Sequence, residues 1–262
     1  MACSCARPSA LRVFKADRLS VEVYSNRADL GAAAARDVAA CMKQVIAAKD
    51  KVAMVFAAAP SQNEFLAALS ADGSLDWDKV VAFHLDEYVG LPPDAPQGFG
   101  NFLRRHLFDI VKPGVVHFMS GFGPSADGEC RRYSELLEAG PLDVACIGIG
   151  ENGHLAFNDP PVADFRDPLK VKIVELDLRC REQQVHDGCF ADLAQVPTRA
   201  LTMTIPAILS AASIHCMVPG PTKAEAVRGT IEGPIATSCP ASILRRYANA
   251  ALYLDRQSAA LI

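Results

Sequence analysis

Three features that mark particular classes of protein are missing from this sequence. None of its apolar runs approaches the roughly 18 residues that cross a bilayer, so we expect no membrane-spanning segment. Basic residues are not in excess, since 26 lysines and arginines stand against 30 acidic residues, and we expect no binding to nucleic acid or acidic membranes. The N-terminus also lacks the apolar core of a secretory signal, which predicts a cytoplasmic protein.

Cysteine is present without the spacing that usually gives it a structural role. The count of nine is odd and no Cys-x-x-Cys pair occurs, which argues against a disulfide framework and against a zinc site. Cys3 and Cys5 form the one close pair, in a segment of residues 1–10 that we predict to be disordered. Cys146 and Cys216 lie in apolar runs and are expected to be small core residues. We therefore expect no metal.

Apolar segments of strand length alternate with helical segments along the rest of the chain. No long linker, low-complexity tract or repeat interrupts them, so we predict one domain over residues 11–262. The alternation predicts an α/β fold with an open, mostly parallel sheet, Rossmann-like and doubly wound, with helices on both faces. Predicted strands are 51–59, 80–85, 142–149, 171–176, 213–218 and 251–254, and predicted helices are 26–49, 61–69, 101–111, 125–139, 222–230 and 241–248.

Polar side chains follow four of the predicted strands, namely Ser61, Asp86, His154 and Lys223. Ligands of open α/β sheets bind beyond the carboxyl ends of the strands, so we expect these side chains to border one crevice. Each has a plainer alternative from its local sequence. Ser61 can cap its own helix through a capping box, Lys223 can be a solvated surface lysine, Asp86 a solvated strand end and His154 a loop histidine.

The segment 146–160 concentrates three glycines, a histidine, an aspartate and a proline after an apolar run. Its Gly-x-Gly-x-x-Gly pattern matches the dinucleotide-binding fingerprint, which requires a helix that opens at the third glycine. Prolines at 160, 161 and 168 leave no room for that helix, because an interior proline costs about 3 kcal/mol or more. We therefore expect no nicotinamide cofactor.

The same segment contains a histidine followed five residues later by a carboxylate, His154 and Asp159. Such a pair can transfer protons near neutral pH. Asp86 is a candidate general base for a proton on carbon next to a carbonyl. Lys223, in the first turn of a helix, is a candidate phosphate ligand together with backbone N–H groups.

Two blocks of sequence together resemble the glucosamine-6-phosphate deaminase/isomerase family. They are Phe83-His-Leu-Asp-Glu-Tyr-Val-Gly-Leu91 and Gly148-Ile-Gly-Glu-Asn-Gly-His-Leu-Ala-Phe-Asn-Asp-Pro160. The resemblance extends over roughly residues 20–255. The 6-phosphogluconolactonases of the same superfamily usually continue Thr-Ala-Ser-Leu-Phe-Pro after the histidine, whereas this chain continues Leu-Ala-Phe-Asn-Asp-Pro, which favours the deaminase branch.

The resemblance implies catalytic roles for four residues. Asp86 would move a proton between C2 and C1 of an opened amino sugar phosphate, and His154, held by Asp159, would open the pyranose ring. Asn152 stands where the family often has an aspartate, and it could orient a ring or a substrate hydroxyl but carries no charge. The implied reaction converts glucosamine 6-phosphate and water to fructose 6-phosphate and ammonia, without a cofactor.

The resemblance also implies a phosphate site and a lid. Ser61 and Lys223 would hold the phosphate, with Gly150 and Gly153 beside the substrate. A lid over about 160–195 would close on the site. Where the family has a phosphate-binding arginine in this lid, this chain has Gln184, and Arg181 lies one helical turn away. The phosphate loop, usually Thr-Gly-Gly-Thr-Pro, reads Ala-Ala-Ala-Pro-Ser here.

These departures leave two alternatives open. One is a lactone hydrolase on the same scaffold, with His154 activating water. The other is a sugar-phosphate-binding protein without activity. The expected partner in every case is a small sugar phosphate, and the sequence leaves a homo-oligomer possible.

Overall fold

The computed structural model describes residues 8–262. Residues 1–7 of the predicted disordered tail, including Cys3 and Cys5, lie outside the described residues. No helix in the described part of the chain is both long and apolar enough to cross a membrane.

Eight strands form the main sheet and three form a smaller one. The strands are β1 Arg12–Ala16, β2 Leu19–Tyr24, β3 Val52–Phe56, β4 Val80–His84, β5 Asp86–Tyr88, β6 Val115–His117, β7 Val144–Ile147, β8 Val171–Glu175, β9 Arg199–Met203, β10 Ser213–Val218 and β11 Ala250–Asp255. The main sheet has the order β1-β2-β11-β10-β7-β3-β4-β6, and only β1 and β2 pair antiparallel in it.

Helices cover both faces of this sheet, as the sequence predicts. They are α1 Arg27–Lys49, α2 Asn63–Ser70, α3 Phe99–Leu103, α4 Asp109–Val111, α5 Ala126–Glu138, α6 Leu178–His186, α7 Ile205–Leu209 and α8 Ala224–Glu232. Alternate residues of a strand enter different cores: Met54 and Phe56 of β3 pack with α1 and α2, whereas Val55 packs with the side that carries α5, α7 and α8. The predicted doubly wound α/β fold is therefore confirmed.

The direction of winding reverses between β3 and β7. From β3 the chain moves outward to β4 and β6, then returns to β7 on the other side of β3 and continues to β10 and β11. In open α/β sheets this reversal separates the loops that leave two neighbouring strands and opens a crevice at their carboxyl ends.

Some local predictions were right and others were not. Asn26 caps α1 by accepting a hydrogen bond from Asp29 N, as expected. The capping box at Ser61 was wrong: residues Pro60–Gln62 form a 3₁₀ turn without a side-chain cap. Glu64, which would complete the box, instead pairs with Arg27 Nε at 2.8 Å.

The sequence did not predict the short strands. These are the hairpin β1–β2, the edge strand β6, and the antiparallel sheet β5-β9-β8, of which only β8 was expected as a strand. The last predicted helix is a 3₁₀ segment, Pro240–Arg246, and the polar segment around 183–188 contains the end of α6.

Candidate active site

The structure brings the four predicted strand ends to one cleft. β10, β7, β3 and β4 are consecutive neighbours in the main sheet and run parallel. The side chains that follow them, Ser61, Asp86, His154 and Lys223, all line a cleft of about 70 Å³ at the reversal point. Asp86 and Lys223 are buried, so the plainer alternatives of a solvated strand end and a solvated surface lysine are wrong.

Two glycines shape the loop that presents His154. Gly150 lies under the imidazole, because a Cβ there would come within 2.1 Å of the ring. Gly153 has a φ of +85°, a conformation that suits glycine, and packs against Cys239. Gly150 lines the cleft, whereas Gly153 lies behind it and is not brought to the substrate side.

His154, Asp159 and Asn152 form a closed triangle of contacts. His154 Nδ1 lies 2.8 Å from Asp159 Oδ1, and Asn152 Nδ2 donates to the same oxygen at 2.8 Å. The Asn152 side-chain oxygen accepts from His154 N at 3.1 Å. Burial would raise the pKa of Asp159, but the contacts with His154 and Asn152 outweigh it and hold this pKa below its usual value. Asp159 is therefore the charged partner of the histidine.

Asp86 is a buried carboxyl at the start of β5. Burial raises its pKa well above the usual value, and the charges of Glu87 and Asp159 add to this effect. Glu87 points away from the cleft and accepts three backbone N–H groups at 2.9 to 3.1 Å. The two adjacent acids thus have different tasks: Asp86 faces the cleft, and Glu87 anchors the backbone beside it.

His84 supports Asp86 from behind, which the sequence analysis did not foresee. Its Nε2 accepts from Met119 N at 2.8 Å, so its Nδ1 carries the proton and donates to the Asp86 carbonyl at 2.9 Å. Burial lowers the pKa of His84 to about 4, so the ring is neutral. It fixes the backbone of Asp86 without competing for protons.

Lys223 reaches the cleft from a turn between β10 and α8. Gly220 starts the turn with a φ of +96°, and its N–H donates to both carboxylate oxygens of Asp255 at 3.2 and 3.1 Å. The Lys223 side chain is buried, and this burial lowers its pKa. The charges of Asp187 and Glu151 attract it, but no carboxylate among the described residues lies within ion-pair distance of its ammonium group. A buried ammonium group without such a partner favours binding of an anion.

The segment 160–195 contributes amides to the cleft and no arginine. Gln184 lines the cleft as predicted, together with Gln183 and, from the β3 loop, Gln62. Arg181 does not reach it: its Nη2 donates to the carbonyls of Leu193 and Val196 at 2.7 and 2.9 Å, so it secures this segment instead. The sequence pointed to neither Gln62 nor Gln183, because an isolated glutamine carries no motif.

Fold and site together define an α/β protein with acid–base side chains and a buried lysine at the reversal point of a parallel sheet. Residues 25–168, more than half of the chain, match the family described as glucosamine-6-phosphate isomerases/6-phosphogluconolactonase, and the chain belongs to this family.

Relatives and solved structures agree with this assignment. The glucosamine-6-phosphate deaminase of Thermoanaerobacter pseudethanolicus is 34% identical over 193 residues, covering 72% of this chain and 74% of the relative. Glucosamine-6-phosphate deaminase 1 of Giardia intestinalis is 37% identical over 204 residues, covering 75% and 74%.

Among solved structures, a monomeric glucosamine-6-phosphate deaminase superposes with a TM-score of 0.85 at 30% identity, covering 92% of this chain and 99% of that one. A 6-phosphogluconolactonase of Shewanella baltica has a TM-score of 0.73 at 16% identity, covering 90% and 96%, and shares the fold.

Proposed function

We propose that this chain converts glucosamine 6-phosphate and water to fructose 6-phosphate and ammonia. The observation that carries the proposal is the meeting of a buried carboxyl, a histidine–aspartate pair and a buried lysine on one cleft. Membership of a family whose relatives are named glucosamine-6-phosphate deaminases supplies the substrate.

His154 opens the sugar ring. Its Nδ1 contacts the Asp159 carboxylate, which leaves Nε2 for the ring oxygen and the anomeric hydroxyl of the substrate. The Asp159 carboxylate, 2.8 Å from Nδ1, stabilises the imidazolium that forms when the histidine takes up a proton. Asn152 holds both members of the pair and has no charge of its own.

Asp86 then carries the isomerisation. As a carboxylate it removes the proton from C2 of the open aldehyde, which gives an enolamine, and it returns that proton to C1. The resulting imine at C2 takes up water, releases ammonia and becomes the ketone of fructose 6-phosphate. A raised pKa suits this base, because a more basic carboxylate removes a carbon-bound proton more readily.

Lys223 binds the phosphate group. Its ammonium is buried at the cleft, and Ser61 lies on the neighbouring loop with Gln62, whose Nε2 donates to Ser61 Oγ at 3.2 Å. Glutamine at 184 supplies a neutral hydrogen-bonding group in place of an arginine. The phosphate therefore meets one full positive charge and several polar groups.

The segment 160–195 acts as the lid. Its helix α6 is tied to the catalytic loop, because Gln183 Oε1 accepts from Glu151 N at 2.8 Å. Gln183 and Gln184 of α6 line the cleft. Movement of α6 therefore opens the cleft to a hexose phosphate and closes it to exclude water during the reaction.

Product analysis tests the proposal. Purified protein is incubated with glucosamine 6-phosphate and, separately, with 6-phosphogluconolactone. Ammonia and a ketose phosphate from the first substrate support the deaminase. Acid from the second substrate with no ammonia from the first would identify a lactone hydrolase, and binding of both without products would identify a non-catalytic binding protein.

Ser61, Asp86, His154 and Lys223 meet on one cleft of a single chain. We therefore infer that activity does not require assembly, and gel filtration combined with an activity assay at several protein concentrations tests this. A cytoplasmic location fits the seven unpaired cysteines among the described residues, because disulfides are rare in a reducing compartment.

A further inference from the structure

The lid helix places a third metal-binding side chain beside the catalytic pair. Cys180 of α6 lies close to His154 and Asp159, and one ligand atom from each residue lies within 4.8 Å of the other two. The three residues are 1%, 8% and 1% exposed, respectively. The Cys180 side chain forms a hydrogen bond with the Asp159 carboxylate, so Asp159 contacts both other members of the cluster.

The three donor atoms suit a particular class of cation. An imidazole nitrogen, a carboxylate oxygen and a cysteine sulfur are the ligands that Zn²⁺ takes, whereas Mg²⁺ and Ca²⁺ take oxygen. Bonds of about 2.0–2.3 Å in a tetrahedron place the ligand atoms about 3.3–3.8 Å apart. The separations in this cluster run from the 2.8 Å His–Asp contact to less than 4.8 Å, so they bracket that range. Small side-chain shifts would admit the ion.

We propose that His154, Asp159 and Cys180 form an inhibitory site for Zn²⁺. The ion binds Nδ1 of His154, whose proton moves to Nε2, together with the Asp159 carboxylate and the Cys180 thiolate, and the thiol proton passes to solvent. Three protein ligands leave the fourth position of a tetrahedral ion to water. Such an open position is ordinarily a feature of catalytic zinc, but here the ion occupies the groups that transfer protons.

Two consequences follow from where the ligands come from. His154 and Asp159 belong to the catalytic loop and Cys180 to α6, so the ion joins the lid to the loop and holds the lid shut. It also removes the carboxylate from the histidine, which stops ring opening. This second consequence rests on the proposed function, whereas binding of the ion does not.

The experiment measures binding and inhibition separately on the full-length protein, after treatment with a chelator. Binding is followed with Co²⁺, whose bond to a thiolate gives a charge-transfer band, and by competition for Zn²⁺ with a coloured chelator. Inhibition is measured as the decrease in the rate of ammonia release when Zn²⁺ or Mg²⁺ is added. The variants are Cys180→Ser and, as a matched control, Cys189→Ser, a lid cysteine outside the cluster.

We expect one Zn²⁺ per chain to inhibit the wild type, Mg²⁺ to have no effect, and a chelator to restore the rate. Loss of a group that only supports a metal ligand costs about 10–100-fold in affinity. Cys180→Ser should therefore raise the Zn²⁺ concentration that halves the rate by at least about 10-fold, where the rate is taken relative to that of the same variant without Zn²⁺. It should also abolish the charge-transfer band. Cys189→Ser should behave as the wild type.

Several results would overturn the proposal. If both variants keep the charge-transfer band and the same sensitivity to Zn²⁺, the ion binds elsewhere among the cysteines. Equal inhibition by Mg²⁺ would contradict the donor set, and loss of activity on chelation would point to a metal that the reaction needs. A protein without deaminase activity would refute the proposed function, and the charge-transfer band would still test the metal site.

Discussion

Replacing Asp159 by asparagine tests the site most directly. The two side chains have the same shape, so the amide oxygen of the new side chain can still accept from Asn152, and the change removes mainly the negative charge next to His154. The reference is Asn152→Ala, which removes one hydrogen bond to the Asp159 carboxylate, of 2.8 Å, and one neutral hydrogen bond to His154 N, of 3.1 Å, and leaves the charge.

The expected losses differ because Asp159→Asn removes the charge that stabilises the imidazolium, whereas the hydrogen bonds of Asn152 stabilise the pair before and during ring opening alike. A hydrogen bond to a charged group contributes about 1.5–3 kcal/mol. At about 1.4 kcal/mol per tenfold in rate, Asp159→Asn should lower kcat about 10- to 150-fold, and Asn152→Ala should lower it less. The deficit of Asp159→Asn should shrink with an acyclic substrate analogue, because the charge next to His154 serves ring opening.

The pH profile gives a second, independent readout. Burial is the main cause of the raised pKa of Asp86, and the charges of Glu87 and then Asp159 raise it further. Asp86 acts as a base only when ionised, so kcat/KM rises as the pH increases through the pKa of Asp86. Without the negative charge that Asp159 supplies, this pKa falls, and the acidic limb of the profile should move to lower pH.

Steady-state rates of ammonia release across pH, with thermal unfolding of each variant as the control for folding, decide the matter. Equal losses in kcat from Asp159→Asn and Asn152→Ala, together with an acidic limb that does not move, would refute the assignment of Asp159 as the charged partner of His154.

Three further predictions concern other parts of the cleft. Asp86→Asn should lower kcat about 10²–10⁴-fold while calorimetry shows product affinity within a few-fold of wild type, and near-normal turnover would place the base elsewhere. Lys223→Ala should raise KM about 10- to 150-fold with a smaller loss in kcat. If the variant loses as much activity on unphosphorylated glucosamine as on glucosamine 6-phosphate, Lys223 does not bind phosphate. Gly150→Ala should abolish turnover, because its Cβ would lie 2.1 Å from the His154 ring. Gly123→Ala, with nothing within 4 Å, is its control and should keep full activity.

Local patterns predicted the parts of this protein that local chemistry specifies. Long apolar runs flanked by polar residues identified β3, β4, β7, β10 and β11 because a buried parallel strand needs such a run. The residues directly after those strands then marked the cleft, since parallel strands end at one edge of the sheet. Asn26 was recognised as a cap because its partner is three residues away in the chain.

Distant contacts decided what the sequence by itself left open or misassigned. Ser61 and Glu64 carry a capping-box pattern, but Arg27 binds Glu64 from 37 residues away and the helix begins later. Arg181 has the charge for a phosphate and is instead bound by two carbonyls of the lid. Strands as short as β5 carry too few residues to show a period, and their pairing becomes visible only in the sheet.

The cluster around Asp159 shows the same division between sequence and tertiary structure. The spacing between His154 and Asp159 indicated a pair, because a short loop can close it. Cys180 lies 21 positions beyond Asp159, and the spacing rules for zinc sites, which argued against one here, consider only cysteines and histidines that are near in sequence. The packing of α6 on the catalytic loop, a contact between distant segments, is what brings the thiol, the carboxylate and the imidazole together.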